Sequence, residues 1–279
     1  MTKVVASQPI DMTNSAIFFG TVSSFSSTQI TIVAGSYMAQ YLGNFTYDTF
    51  GNVFGQLTGY VFKISGAVQY SVSEMNTDAY LAFVDIQSGN IAALYARALN
   101  GADSFSGSNL ADKLQGFAGR DVMNGNGGDD VLYGGLDIDR LNGGLGRDLL
   151  IAGDGADLLI GGQGSDSLEG GAGNDKFVFN TALSNSNRDR IIDFIPGHDK
   201  MLLENTGVGM FNGIATGVLA ATRFKDIANG AVDANDRILY DPRNGTLYFD
   251  RDGSASAAPV AFAILQNLAV ITTADFTVI

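Results

Sequence analysis

Regularly spaced aspartates supply most of the chemistry that this sequence offers. They follow one another at intervals of nine residues: Asp103, Asp112, Asp121, Asp130, Asp139, Asp148, Asp157, Asp166 and Asp175. Carboxylates suit a hard cation such as calcium, which takes roughly six to eight oxygen ligands. The chain has no Cys and only one His, His198, so thiolate metal sites, disulfides and cysteine nucleophiles are excluded.

The residues around each Asp repeat with the same period. Two residues after each Asp stands an apolar side chain: Phe105, Leu114, Met123, Leu132, Leu141, Leu150, Leu159, Leu168 and Phe177. From Gly107 the nonads read GSNLADKLQ, GFAGRDVMN, GNGGDDVLY, GGLDIDRLN, GGLGRDLLI, AGDGADLLI, GGQGSDSLE and GGAGNDKFV. Glycine permits sharp turns whose carbonyls face inward. Each nonad therefore predicts a loop and a very short strand, stacked into a calcium-binding parallel β-roll.

In such a roll a nonad makes half a turn, so loops 18 residues apart stack at about 4.8 Å. The stacking predicts the calcium-site pairs Asp121/Asp139, Asp130/Asp148, Asp139/Asp157, Asp148/Asp166 and Asp157/Asp175. We expect the outer pairs Asp103/Asp121 and Asp112/Asp130 to be weak or empty, because Ser108 and Leu110 replace glycines. Asp137 and Ala152 also stand at glycine positions.

The nonads resemble those of the RTX family of secreted calcium-binding proteins, over about residues 99–178. The following segment, Asp189–Leu203, is similar to the segment that closes the roll in many RTX proteins, serralysin-type proteases included, which implies a capping role. The metal ligands predicted by the register and this likeness are Asp112, Asp121, Asp130, Asp139, Asp148, Asp157, Asp166, Asp175, Asp189 and Asp193. For Asp189 and Asp193, a salt bridge to Arg188 or Arg190 is the alternative.

The roll should require several calcium ions, because one apolar side chain per nonad gives a thin core and the carboxylates repel each other. We expect the repeat to be disordered without calcium and to fold on binding it. Extracellular calcium modules bind with Kd of roughly 10⁻⁴ to 10⁻³ M, so the chain would stay unfolded in the cytosol and fold outside.

The last sixty residues predict a hairpin with turns at Pro242–Gly245 and Asp252–Gly253. They are similar to the C-terminal part of many RTX proteins, whose uncleaved signal is read by a type I ABC exporter. That likeness suits an N-terminus that resembles neither a signal peptide nor a membrane span. Asp250 and Asp252 are read as turn residues or as a further calcium site.

Residues 1–98 predict a small antiparallel β domain, with strand-like segments at 29–33, 44–47, 59–64 and 67–72. Residues 91–99 fit either a short helix or a strand. An aromatic-rich stretch could form a sheet core or a face for sugar binding or self-association: Tyr37, Tyr41, Phe45, Tyr47, Phe50, Phe54, Tyr60 and Tyr70. The acids that could form a two-carboxylate active site are Asp48, Glu74, Asp78 and Asp85.

The predicted fold is all-β, with an N-terminal antiparallel domain (1–98), a calcium-binding parallel β-roll (99–180) and a β-rich C-terminal cap (181–279). A formal charge of −13 argues against a nucleic-acid partner. No H-E-x-x-H motif, nucleophile elbow or Walker A loop is present, and His198 is read as a solvated loop residue. We therefore expect a secreted, non-enzymatic protein of adhesion, matrix or surface association, with a glycan as a candidate partner. The alternatives are a polysaccharide-acting enzyme and a self-assembling structural protein.

Overall fold

The computed structural model describes residues 99–184, 186–207, 211–253 and 257–279 with their side chains. Of residues 1–98 it describes the backbone of six strands. All regular elements in the described part are strands, apart from two 3₁₀ helices at Ala221–Arg223 and Thr273–Asp275. The predicted all-β class is confirmed.

The nonads form a roll of short parallel strands. Its strands are β7 (Ser104–Ser106), β8 (Lys113–Ala118), β9 (Val122–Gly127), β10 (Val131–Leu136), β11 (Arg140–Leu145), β12 (Leu149–Gly155), β13 (Leu158–Gln163), β14 (Ser167–Gly173) and β15 (Lys176–Phe179). Odd-numbered strands join one sheet and even-numbered strands the other. Partners lie 18 residues apart, as in Val131↔Leu149 and Arg140↔Leu158. The predicted half turn per nonad is confirmed.

The apolar residue two places after each Asp faces the interior. Leu114, Met123, Leu132, Leu141 and Leu150 are fully buried, as are their counterparts up to Phe177. Side chains alternate between the two faces of a strand, so one residue of each short strand enters the core and its neighbours line the surface. The interior is consequently thin.

The strands after the nonads are β16 (Asp189–Ile191), β17 (Lys200–Leu203), β18 (Gly217–Val218), β19 (Phe224–Asp226), β20 (Ile238–Asp241), β21 (Thr246–Phe249), β22 (Val260–Leu265) and β23 (Phe276–Val278). The segment predicted to close the roll instead extends it, because β16 pairs in parallel with β14 and β17 with β15. β22 and β23 then add one more parallel strand to each sheet. The capping interpretation is corrected: the segment has the same alternating apolar pattern as a roll strand, so it stacks as one.

The C-terminal hairpin is confirmed. β20 and β21 pair antiparallel around the turn that contains Gly245, which has a φ of 74°. β21 pairs antiparallel with β22, giving a three-stranded meander, and β19 pairs in parallel with β20 at the edge of the same sheet. Both sheets continue past residue 180 without interruption. The domain boundary at residue 180 stays a sequence-based prediction.

The six N-terminal strands are β1 (Lys3–Ala6), β2 (Thr21–Phe25), β3 (Gln29–Ala34), β4 (Tyr37–Tyr47), β5 (Val53–Ile64) and β6 (Ala67–Asp78). Their antiparallel pairing agrees with the predicted sheet. β1 also pairs in parallel with β7, which joins this sheet to the roll. The side chains of the aromatic stretch and of the four acids lie outside the described residues, and so do residues 91–98.

Candidate metal centre

Two aspartate ladders run along the edges of the roll. In each ladder the backbone N–H of one Asp donates to Oδ1 of the Asp 18 residues later, at 2.7–2.9 Å. The Asp121 ladder consists of Asp103, Asp121, Asp139, Asp157 and Asp175. The Asp130 ladder consists of Asp112, Asp130, Asp148 and Asp166. Hence all the predicted pairs are brought together, including the outer ones.

In most ladder residues the second carboxylate oxygen has no such partner. In the part of the chain that the structure describes, Oδ2 is buried and accepts no hydrogen bond in Asp121, Asp130, Asp139, Asp148, Asp157, Asp166 and Asp175. A buried polar atom left unpaired costs roughly 1–3 kcal/mol, and more if it is charged. A bound proton or a bound cation would remove this cost.

Four of these oxygens, those of Asp121, Asp130, Asp139 and Asp148, face a glycine and a backbone carbonyl from the next turn. A Cβ added at Gly134 would lie 2.5 Å from Asp139 Oδ2 and 2.5 Å from the carbonyl oxygen of Ala152. The same arrangement surrounds Gly125, with Asp130 Oδ2 and the carbonyl of Gly143. The small space beside each glycine thus holds a carboxylate oxygen from one turn and a carbonyl oxygen from the next.

This donor set fits calcium. Calcium accepts carboxylate and carbonyl oxygens in flexible geometry, and the ladder provides both from successive turns. Among the described residues there is no cluster of three or more His, Cys, Asp and Glu side chains suited to a metal. A cation here would consequently depend on backbone carbonyls as much as on carboxylates, and would link two turns.

Burial raises the pKa of the ladder carboxyls. The pKa of Asp121 is raised to about 8, those of Asp130 and Asp139 to about 7, and those of Asp148 and Asp175 to about 6. Desolvation is the largest cause, neighbouring carboxylates add to it, and the hydrogen bond from the preceding backbone N–H opposes it. Without a cation, the folded roll therefore favours protonated carboxyls.

Both ladders continue beyond the nonads. Asp166 N donates to Asp189 Oδ1 at 3.2 Å, and Asp175 N donates to Asp199 Oδ1 at 3.0 Å. Asp189 was a predicted ligand, whereas Asp199 was missed because it breaks the nine-residue register. The signal was the similarity of Asp199-Lys200-Met201 to Asp175-Lys176-Phe177.

Asp193 has a different position from the ladder residues. Its two carboxylate oxygens accept hydrogen bonds from Gly170 N at 3.0 Å and Gly171 N at 2.8 Å, which anchors the turn that follows the last nonad. In the described part of the chain, neither Asp189 nor Asp193 forms an ion pair with Arg188 or Arg190. The alternative salt bridges are therefore not formed there.

The departures from the repeat have local effects. Ser108, in place of glycine, donates from its backbone N and its Oγ to Asp112 Oδ2. Asp137 adopts the left-handed conformation that its glycine counterparts use, with a φ of 73°. Ala152 keeps its carbonyl in the space beside Gly134. Weak binding at the outer pairs stays a prediction, to which the Ser108 contacts add a physical reason.

Two other candidates lie in loops. Asp250 Oδ1 accepts hydrogen bonds from Asp252 N at 3.2 Å and Gly253 N at 2.9 Å, which is the predicted turn. Asp250 Oδ2 is buried and accepts no hydrogen bond within the described residues, so the further calcium site there stays a prediction. His198 is exposed, and its backbone N–H donates to the carbonyl of Ile195 at 3.1 Å.

Comparison with protein-family models identifies the repeat. The family model of the RTX calcium-binding nonapeptide repeat matches four times, at residues 98–132, 106–141, 133–168 and 142–177. No curated protein matches the chain. Among solved structures, the solution structure of the AlgE6R3 subunit from the Azotobacter vinelandii mannuronan C5-epimerase is 19% identical. The match covers 64% of this chain and 79% of that one, with a TM-score of 0.20.

RTX repeats of this kind imply a secreted, calcium-binding protein. None of the helices within the described ranges is long and apolar enough to span a membrane. The repeat match coincides with the two ladders and with the buried apolar column. The chain therefore contains RTX calcium-binding nonapeptide repeats, over residues 98–177.

Proposed function

We propose that this protein folds on binding several calcium ions outside the cell and then acts non-enzymatically, in adhesion, extracellular matrix or surface association. The observation that carries the proposal is the series of buried Asp Oδ2 atoms without a hydrogen-bond partner in the described part of the chain. The proposed ligands are the carboxylates of residues 112 to 175 in the two ladders, with Asp189 and Asp193 at the end of the roll.

Calcium would stabilise the roll in two ways. It would supply the missing partner for each Oδ2, and it would cancel the repulsion between carboxylates in successive turns. It would also tie together a backbone that is rich in glycine and so loses much conformational entropy on folding. At cytosolic calcium concentrations the free energy of these contacts is lost, so the roll should be unfolded.

We also propose that the C-terminal region carries a signal for a type I ABC exporter. β23 lies in the sheet between β17 and β18, and Phe276 and Val278 are buried. β17 is itself paired to β15 of the roll. The place of β23 in the sheet thus depends on the roll, and a signal in it would stay accessible until calcium folds the repeats.

A non-enzymatic role is supported by how the carboxylates are used. The ladder carboxylates lie inside the turns of the roll, with 0–3% exposure, instead of converging on an open cleft. Retaining and inverting glycosidases need two carboxyl groups that both reach a substrate. The ladder is therefore suited to structural calcium.

Calcium titration of the full-length protein tests the folding step. We expect β-sheet circular dichroism to appear cooperatively at roughly 10⁻⁴ to 10⁻³ M calcium and to disappear with chelator. A chain that stays disordered in millimolar calcium, or that is equally folded in chelator, would overturn the proposal.

Retention on immobilised polysaccharides, in calcium and in chelator, tests the role after folding. We expect calcium-dependent retention without release of new reducing ends. Steady release of reducing ends would identify an enzyme instead. Light scattering that grows with calcium, together with no retention, would identify a self-assembling structural protein.

A further inference from the structure

A groove runs along the edge of the roll that carries the Asp121 ladder. Its volume is about 400 Å³, and it crosses three successive turns between Asp121, Asp139 and Asp157. Cationic side chains line it at Arg120, Arg140 and Lys176. Between them lie apolar side chains, including Val122 and Leu158, which are half-buried, and Ile138, which is 42% exposed.

Most of the cationic side chains of the roll lie at this groove. Residues 99–180 contain five Lys and Arg residues, namely Lys113, Arg120, Arg140, Arg147 and Lys176, and three of them line it. These three are exposed and make no ion pair within the described ranges. By contrast, Arg147 on the opposite edge pairs with Asp129 at 3.1 Å, and the Lys113 ammonium lies 5.8 Å from the centre of the Tyr133 ring.

The strand register gives the groove cations a regular spacing. Val122, Arg140, Leu158 and Lys176 stand opposite one another at the start of four neighbouring strands. Because neighbouring strands lie about 4.8 Å apart, Arg140 and Lys176 are separated by about 10 Å along the roll. The groove thus presents alternating apolar and cationic positions along one line.

Calcium would change the charge of this groove. The acids that line it are the buried ladder residues Asp121, Asp139 and Asp157, and a bound divalent cation would neutralise their carboxylates. Asp137 and Asp154 are exposed at the turns of the same edge, where they weaken the positive potential without occupying the groove. With calcium bound, Arg120, Arg140 and Lys176 become the dominant charges facing the groove.

We propose that this groove binds an acidic polysaccharide whose carboxylates pair with Arg140, Lys176 and Arg120. The proposal rests on the proposed function, because it names the binding site and the glycan class for the folded, extracellular protein. A linear chain of uronate sugars presents carboxylates at regular intervals and apolar C–H faces between them, which matches the alternating positions of the groove. Nucleic acid fits less well, since its affinity comes from many phosphate contacts and the chain has a charge of −13.

The test uses the full-length protein with a short oligogalacturonate and its methyl ester, which has the same sugars without the charge. Calorimetry in millimolar calcium should show binding of the acidic oligomer that weakens with added salt. The ester should bind at least about tenfold more weakly. The double variant Arg140→Ala/Lys176→Ala should also lose about tenfold in affinity, from two exposed ion pairs. Its calcium-induced circular dichroism should be unchanged.

Two matched variants separate this groove from general surface charge. Arg147→Ala removes a cation from the opposite edge and should leave affinity for the oligomer unchanged. Asp137→Asn should strengthen binding about twofold, because it removes an acid beside the groove. Equal binding of the acidic oligomer by wild type and the double variant would overturn the proposal, and so would equal binding of the ester. Tighter binding of duplex DNA would overturn it as well.

The outcomes also separate this inference from the proposed function. If the protein folds on calcium and is retained on neutral glycans but not on acidic ones, the groove assignment fails while the proposed function stands. If calcium does not fold the chain, the proposed function itself fails.

Discussion

The roll and the region after it share the same two sheets but are held together differently. In the roll, each nonad buries one apolar side chain of moderate size, such as Leu132 or Leu141. After residue 178 the interior fills with aromatic rings: the centroids of Phe179 and Phe262 are 5.2 Å apart, and those of Phe211 and Phe262 are 4.9 Å apart. Aromatic side chains bury far more area each, so the C-terminal region has a thicker core for its length.

The buried carboxylates of the two regions also differ, in how many hydrogen bonds they accept. Asp275 accepts hydrogen bonds from Gly197 N at 2.8 Å through Oδ1 and from Thr272 N at 2.7 Å through Oδ2. Both oxygens of Asp199 also accept backbone hydrogen bonds, from Asp175 N and Ile195 N. From Asp121 to Asp175 in the ladders, Oδ2 accepts no hydrogen bond in the described part of the chain. Apart from Asp250 Oδ2, the C-terminal region thus supplies the partners of its buried carboxylates, while the roll leaves a place for a ligand.

Removal of calcium should have the largest effect on stability, and it should affect the roll more than the C-terminal region. In chelator we expect amide hydrogens of residues 104–179 to lose nearly all protection, because the buried carboxylates repel one another. The meander of β20, β21 and β22 should keep more protection, since its pairing is local. Hydrogen exchange with mass spectrometry measures protection in both regions. Equal loss of protection in the two would contradict the difference proposed between them.

Replacement of one ladder carboxylate should have the second-largest effect, on the calcium dependence of folding. Asp148→Asn keeps an oxygen for the backbone N–H of Asp130 but removes the charge. We expect the calcium concentration at half-folding to rise roughly ten- to hundredfold, corresponding to roughly 1–3 kcal/mol. The control Asp241→Asn, in the C-terminal hairpin, should leave that midpoint unchanged. A calcium titration followed by circular dichroism reports both variants.

A methyl group in the space beside a ladder glycine should have an effect of similar size. Gly134→Ala places a Cβ against Asp139 Oδ2 and the Ala152 carbonyl, so we expect a loss of roughly 1–3 kcal/mol of stability in calcium. Gly127→Ala is the matched control, because its nearest neighbours would lie 3.8 Å away. Thermal melts in saturating calcium compare the two, and equal losses would contradict a specific site beside Gly134.

The pH dependence without calcium follows from the raised pKa values. Because the folded pKa of Asp121 is about 8 and those of Asp130 and Asp139 are about 7, against an ordinary 3.8, the folded roll binds protons more tightly than the unfolded chain does. The roll should therefore be least stable above pH 8 and gain stability as the pH falls towards about 4. Circular dichroism in chelator from pH 8 to pH 4 should show increasing β structure. An unchanged spectrum would argue against buried carboxyls.

The smallest effect is expected at the surface of the C-terminal hairpin. Arg243 Nε lies 2.8 Å from Asp241 Oδ1, and the guanidinium holds the pKa of Asp241 below its ordinary value. The Arg243 side chain is 70% exposed, and exposed pairs contribute little. Arg243→Ala should lower the melting temperature slightly and leave the calcium midpoint unchanged. A changed midpoint would show that the two regions are coupled more tightly than proposed.

Much of the roll was predictable because its signal is periodic. The spacing of Asp121, Asp130 and Asp139 gave the half turn, the buried column and the paired carboxylates, since each nonad depends on residues only one turn away. The meander was also predictable, from the turn at Gly245 and the flanking β-branched and aromatic residues. Asp199 was missed, because the ladder step changes from 18 to 24 residues there.

The repeating unit follows from the sequence alone: a glycine turn, a carboxylate and one inward apolar residue, each set by local backbone and hydration chemistry. The strand pairings at each end of the roll became clear only from the tertiary structure. Pairing of β1 with β7 and of β23 with β17 connects residues far apart in sequence. The tertiary structure also brought Arg120, Arg140 and Lys176 to one groove. The physical reason is that local spacing fixes the turn, whereas long-range pairing depends on which strand edges and charges remain after the roll has closed.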